Sequence, residues 1–95
     1  MAGAKNAVIR KVMGRLRKVL RAHIPDRYAF RLRAFPTWQD SIWDILVISD
    51  FFRGKGLVRR LAFLRKVEEE ALTPEEQFRF RVLPFTEREA REQGL

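Results

Sequence analysis

The stretch IWDILVI, residues 42–48, decides the fold of this chain. All of its side chains except one are apolar and several are branched, which is typical of a central strand buried on both faces of a sheet. The exception is Asp44. A carboxylate inside such a strand is costly unless it is paired or hydrogen-bonded. We therefore expect Asp44 to have a partner on a flanking strand.

Two segments outside this strand alternate with the period of two that strands show. Residues 28–35 place Phe30, Leu32 and Ala34 on one face and two arginines on the other. Residues 78–85 alternate in a similar way. We predict that both are strands of the same sheet as residues 42–48.

Two further segments have the helical period. From about Ala4 to His23 one face is apolar and the opposite face is basic, and the helix ends before Pro25 because proline disfavours helix in the residue before it. We expect His23 to hydrogen-bond a carbonyl group at this helix end. The second helix is predicted from Leu57 to about Leu72. Its predicted inward residues are Leu57, Leu61, Leu64 and Val67.

Helix-start signals complete the chain. Thr73 followed by Pro74 predicts a short helical turn, and Thr86 with Glu89 forms the capping-box pattern of a short terminal helix. The element order is therefore α-β-β-α-β-α. We predict a single α/β (α+β) domain over residues 1–95, with a small mixed sheet of three to four strands and helices packed on it.

Composition excludes several kinds of chemistry. The chain has no cysteine and one histidine, which excludes disulfides, thiolate catalysis and cysteine- or histidine-rich metal centres. No apolar stretch is long enough for a signal peptide or a membrane-spanning helix, so we expect a cytoplasmic protein without a membrane partner.

The positive charge is concentrated in the first third of the chain. Residues 1–37 contain ten lysines and arginines against one acidic residue, Asp26, whereas residues 38–95 contain ten basic and eleven acidic residues. This asymmetry indicates a polyanionic or acidic partner, although the arginine-rich surface of a heat-adapted protein has the same composition. The candidate contacts with nucleic acid or another partner are Arg10, Arg17, Arg21, Arg31 and Arg33.

Two stretches carry a family resemblance. The sequence DSIWDILVISDFFRGK (residues 40–55), followed by the helix from Leu57, resembles the part of minimal nucleotidyltransferases written DSDIDLLVVSDDFEGK. The sequence FRVLPFTE (residues 80–87) is similar to the family's third strand and its Pro-x-Thr-x-Glu exit. With the leading helix and strand, the resemblance covers most of the chain. It implies the nucleotidyltransferase fold of the DNA polymerase beta-like superfamily.

The resemblance also implies how such a site would work. In the family, two aspartates in D-x-D and a third carboxylate hold divalent metal, because Mg²⁺ needs several hard oxygen ligands. A Gly-Ser turn holds the nucleoside triphosphate through backbone N–H groups. Here Asp44 matches the second aspartate, but Ile42 stands at the first and Arg81 at the third carboxylate position. Residues 34–38 replace the Gly-Ser turn with a proline-containing segment.

Asp44 therefore has two interpretations. It is a remnant metal ligand, or it forms a buried ion pair with Arg81 or Arg33, in which an arginine replaces the charge of the metal. We expect the ion pair. The loop with Gly54, Lys55 and Gly56 lacks the spacing of a phosphate-binding P-loop and matches the family's ordinary connecting loop.

Three functions remain open from the sequence. The first is a degenerate, non-catalytic member of the family that acts through protein contacts and needs no cofactor. Because many small family members pair with a helical HEPN protein as toxin–antitoxin modules, the resemblance implies such a partner, or a homodimer. The second is an active nucleotidyltransferase that binds Mg²⁺ and a nucleoside triphosphate through a rearranged set of Asp40, Asp44 and Asp50. The third is a basic nucleic-acid-binding module.

Overall fold

A computed structural model describes the backbone of residues 2–95 and the side chains from residue 7 onward. A single 3₁₀ turn, Asp50–Phe52, follows the second strand. The other elements are, in chain order, α1 (Ala2–His23), β1 (Arg31–Pro36), β2 (Trp43–Ile48), α2 (Leu57–Ala71), α3 (Pro74–Arg79), β3 (Phe80–Phe85) and α4 (Glu87–Glu92).

The three strands form one mixed sheet in the order β1-β2-β3. β1 and β2 are antiparallel and are joined by a hairpin loop, whereas β2 and β3 are parallel and are joined by a crossover through α2 and α3. This confirms the predicted α/β class, and the predicted element order agrees with the structure apart from one extra short helix. None of the described helices is long and apolar enough to cross a membrane.

The extra helix moves the start of the third strand. A complete capping box joins Thr73 and Glu76, and Pro74 occupies the first helical turn. These signals extend the predicted turn into α3, so β3 begins at Phe80 rather than at Phe78. Phe78 accordingly lies on α3, where 82% of it is exposed.

Most of the core lies between one face of the sheet and the helices α1 and α2. Ile45 and Val47 of β2 are fully buried there, beneath Leu16 and Leu20 of α1 and Leu64 of α2. The opposite face has a smaller cluster in which Leu46 and Ile48 pack near Ala90 of α4. The prediction that β2 is buried on both faces is therefore confirmed for Ile45–Ile48.

The predicted inward face of α2 is wrong at its first two turns. Leu57 is 63% exposed and Leu61 is 42% exposed, although Leu64 and Val67 are buried as predicted. The buried stripe instead continues toward the amino end through Arg60, whose guanidinium group binds Glu89 of α4. The two leucines lie beside this stripe and face solvent.

Prolines mark both free edges of the sheet. The Thr37 N–H donates to the Ile42 carbonyl and the Ser49 N–H donates to the Phe85 carbonyl, so the backbone groups of Thr37 and Phe85 face the central strand. Because backbone groups alternate along a strand, those of the neighbouring residues point to the outer edges. The neighbouring residues are Pro36 in β1 and Pro84 in β3, so a proline lies at an outward-facing position on each edge.

Candidate functional site

A concavity of about 340 Å³ lies where the β1–β2 hairpin loop meets the start of β3. It contains Ile42, Asp44 and Arg81, the residues at the three positions where the resemblance implies metal-binding carboxylates. The remaining lining residues are Thr37, Trp38 and Gln39. The fold thus brings together three positions that lie up to 39 residues apart in sequence.

Asp44 and Arg81 form a two-point ion pair in this concavity. The parallel register places them side by side on β2 and β3. Arg81 donates from Nε to Asp44 Oδ1 at 2.7 Å and from Nη2 to Oδ2 at 3.0 Å. These hydrogen bonds raise the pKa of Arg81 above its ordinary value. The predicted pairing of Asp44 with Arg81 is confirmed.

The pair lies at the surface rather than in the interior. The Asp44 side chain is 23% exposed and that of Arg81 is 60% exposed. The expectation of a buried pair is therefore wrong. The reason is that the helix α4 packs over the Ile48 end of this sheet face, and the Asp44 end has no helix above it among the described residues.

The other arginines of this face have different partners. Arg33, the alternative partner of Asp44, places its guanidinium carbon 5.2 Å from the centre of the Phe35 ring. Arg31 donates to both carboxylate oxygens of Glu87 at 3.2 and 3.1 Å, and to the Leu95 carbonyl oxygen at 3.4 Å. Arg31 therefore joins β1 to α4 and to Leu95. Of the two arginines, only Arg33 has no carboxylate partner among the described residues.

The hairpin loop lies where the resemblance implies a phosphate-binding turn. Its backbone N–H groups are partly used inside the loop: Thr37 donates to Ile42, Ile42 donates to Gln39, and Gln39 donates to the Thr37 hydroxyl. Ser41 has a φ of 68°, a left-handed conformation that is uncommon for a residue other than glycine. Trp38 extends from this loop and is 91% exposed. The loop presents an indole ring rather than a row of free N–H groups.

The rearranged carboxylate set is not assembled. Asp40 lies exposed in the hairpin loop before β2, whereas Asp50 lies beyond the other end of β2 and accepts a hydrogen bond from the Glu87 N–H at 3.2 Å. A strand of this length separates its two ends by about 17–20 Å. Within the part of the chain that the structure describes, no group of three or more carboxylate or histidine side chains is placed to hold a metal ion.

In the loop with Gly54, Lys55 and Gly56, the lysine side chain contacts the preceding 3₁₀ turn. Lys55 donates from Nζ to the Phe51 carbonyl oxygen at 2.7 Å, and Nζ lies 4.1 Å from the centre of the Phe51 ring. The ammonium group is thus folded back onto the preceding 3₁₀ turn. This geometry agrees with an ordinary connecting loop.

The candidate arginines of α1 lie on its outer face. Arg10, Arg17 and Arg21 are exposed, and none of them forms an ion pair with the described carboxylates. His23 does not cap the helix as expected, because its Nε2 lies 2.9 Å from Glu70 Oε1 on α2. The fold therefore separates these three arginines from Arg31 and Arg33, which lie on the opposite face of the sheet.

One surface was missed by the sequence reasoning. Leu57, Val58 and Leu61 are exposed side by side on α2, at 63%, 81% and 42%, and we call them the α2 patch. The signal was present in the sequence, because Arg60 interrupts the helical stripe that these leucines were assigned to. Because Arg60 lies on the same side of the helix as Leu64 and Val67, Leu57 and Leu61 lie to one side of the face that packs on the core.

Comparison with protein-family models, with curated proteins and with solved structures gives no significant match. The site is defined by its geometry alone: one carboxylate, one guanidinium group and an exposed indole around a shallow concavity.

Proposed function

We propose that this chain is a non-catalytic protein of nucleotidyltransferase-like architecture that acts by binding another protein chain. The observation that carries the proposal is the Asp44–Arg81 pair. A guanidinium group holds both oxygens of the carboxylate that would bind metal. The proposed loss of catalysis thus has a specific structural cause.

Phosphoryl transfer on this type of site needs several carboxylates that converge on divalent metal. Here the concavity offers one carboxylate, and a cation fills the place of another. A lone carboxylate holds Mg²⁺ poorly because the ion prefers a near-octahedral set of oxygen ligands. An arginine beside it adds repulsion to that weak affinity.

The α2 patch supports the binding role. Three adjoining apolar side chains on one helix leave water when a second apolar surface covers them, and each then contributes burial energy. A partner helix packs naturally against such a surface through interlocking side chains. This surface fits a helical partner, and the resemblance to minimal nucleotidyltransferases implies that the partner is of the HEPN type, with the chain in the antitoxin-like role.

The first experiment tests whether the chain binds the ligands that a nucleotidyltransferase needs. Thermal unfolding is followed with Mg²⁺ and each nucleoside triphosphate at millimolar concentration, against KCl of matched ionic strength. Since a ligand that binds only the folded state raises the midpoint, we expect no shift. A reproducible rise of several degrees with Mg²⁺ and one nucleotide contradicts the proposal.

The second experiment tests whether the chain forms a complex with another protein through the α2 patch. The chain is produced together with the product of the adjacent reading frame, and the mass of the complex is measured by light scattering after gel filtration. We expect a stoichiometric complex that is lost with Val58→Glu and kept with Lys66→Glu, which changes an exposed position elsewhere on α2. A complex that survives Val58→Glu, or the absence of any complex or dimer, contradicts the proposal.

A further inference from the structure

A stripe of three arginines runs along the outer face of α1. Arg10, Arg17 and Arg21 are separated by seven and four residues, so they project from the same side of the helix. At 1.5 Å per residue the stripe is about 16 Å long. All three residues are exposed. We call this set the basic stripe.

The surroundings of the basic stripe compensate only part of its charge. The α2-facing side of the same helix is neutralised, because Arg15 binds Glu76 and His23 lies against Glu70. Between residues 7 and 30 the only carboxylate is that of Asp26. Arg17 and Arg21 are also one helical turn apart, a like-charge spacing that destabilises a helix. The stripe therefore carries a local electrostatic cost, which a bound anion would relieve.

A concavity lies beside the basic stripe, at the carboxyl end of α1. Its volume is about 350 Å³, and it is lined by Arg17 and Arg21 together with aromatic side chains of the segment before β1. The Tyr28 ring is held in place edge-on against Phe51, at a centroid distance of 5.7 Å. The other lining residues are Ile24, Asp26, Ala29 and Phe30.

We propose that the basic stripe and this concavity bind single-stranded nucleic acid. The guanidinium groups contact successive phosphates, and an unpaired base enters the concavity beside Tyr28 and Phe30. Proteins that bind single strands combine these two elements, a positively charged track for the backbone and aromatic side chains for the bases. An acidic protein could satisfy the arginines as well, but a single strand presents a phosphate and an unpaired base at every step along the stripe. A duplex keeps its bases stacked and offers none to it.

The test measures how binding depends on salt. A fluorescein-labelled mixed-sequence RNA of about 20 nucleotides is titrated with protein, and anisotropy is recorded between about 50 and 300 mM KCl. Each phosphate contact on a single strand contributes about 0.7 to the slope of log K against log salt. Replacing Arg10, Arg17 and Arg21 with Gln should therefore reduce the magnitude of the slope by about 2.

A matched variant controls for net charge. Arg53, Arg88 and Arg91 are exposed and form no ion pair with the described carboxylates, and they surround a mixed-charge concavity with Asp50 and Glu92 near α4. Replacing these three with Gln removes the same charge and should leave the slope unchanged. An equal loss in both triple variants contradicts the proposal, because it would mean that net charge alone attracts the RNA.

The contact between a base and the aromatic side chains of the concavity is tested separately. Tyr28→Leu should lower the affinity about tenfold at fixed salt without changing the slope, since stacking is insensitive to counterions. Thermal unfolding verifies that each variant is folded. A duplex of the same length that binds as tightly as the single strand overturns the single-strand proposal. Polyglutamate that competes with the RNA at equal charge concentration overturns it in favour of an acidic protein.

Discussion

Glu76→Gln should weaken the packing of α1 against the α2–α3 corner in a pH-dependent way. Arg15 donates from Nη1 to Glu76 Oε1 at 2.9 Å and from Nη2 to Oε2 at 2.5 Å. Its Nη1 also donates to the Ala71 carbonyl oxygen at 3.0 Å. The Glu76 carboxylate accepts a further hydrogen bond from the Thr73 N–H at 2.8 Å. One carboxylate thus connects α1 to the start of α3.

The hydrogen bonds from Arg15 lower the pKa of Glu76 from 4.5 to about 2. Without screening, this difference corresponds to roughly 3 kcal/mol, since each pKa unit is about 1.4 kcal/mol. The side chains of Arg15 and Glu76 are 43% and 22% exposed, so solvent screens the pair. We therefore expect Glu76→Gln to lower the free energy of unfolding by about 1–2 kcal/mol at pH 7. In a domain of this size that loss corresponds to a fall of about 4–16 °C in Tm.

The stabilisation that Glu76 contributes is lost at low pH. Because the folded-state pKa lies below the unfolded value, the stabilisation is complete above about pH 5 and is lost as the pH falls from 4.5 toward 2. Urea unfolding of the wild type and of Glu76→Gln measures the difference at pH 7, 4 and 2.5. Glu75→Gln removes the same charge from an exposed pair with Arg79 and should change stability by less than about 0.5 kcal/mol. A wild-type advantage that stays constant between pH 7 and 2.5 would refute the assigned role of Glu76.

Three other changes test the site and the core. Asp44→Asn and Arg81→Gln should have non-additive effects on stability in a double-mutant cycle, and simple additivity would show that the pair does not interact. Leu64→Ala empties a fully buried position and should lower the free energy of unfolding by about 2–5 kcal/mol. Leu57→Ala, on the exposed part of the same helix, should change it by less than about 0.5 kcal/mol, and similar losses would contradict the assigned burial. Thr86→Ala removes a capping hydrogen bond from α4 and should cost about 1 kcal/mol in urea unfolding; no loss would mean that α4 is held by packing alone.

The features that the sequence predicted correctly depend on neighbours along the chain. Thr86 forms the predicted capping box with Glu89, and Thr73 caps the short helix that Pro74 predicts. The strand Trp43–Ile48 follows from its own apolar run. The pairing of Asp44 with Arg81 joins residues 37 positions apart, and Arg81 was one of two partners, with Arg33, that the sequence indicated on the flanking strands.

The features that were missed depend on how elements pack against each other. The partner of His23 is on α2, and the helix period says nothing about which helix lies beside it. Leu57 and Leu61 fit an apolar stripe in sequence, but the buried side of α2 carries Leu64 and Val67. Arg60 extends that side and binds Glu89 of α4. The exposure of Asp44 likewise depends on where α4 lies over the sheet.

The prolines at both sheet edges restrict the ways in which this protein can assemble. A strand added to an edge needs a continuous row of outward N–H and C=O groups. Pro36 and Pro84 each remove one such donor from the outward-facing set of a strand only six residues long. Growth of the sheet into a neighbouring chain is therefore disfavoured on both sides. Edge-to-edge aggregation is weakened in the same way, which favours recognition through side chains on helices and loops.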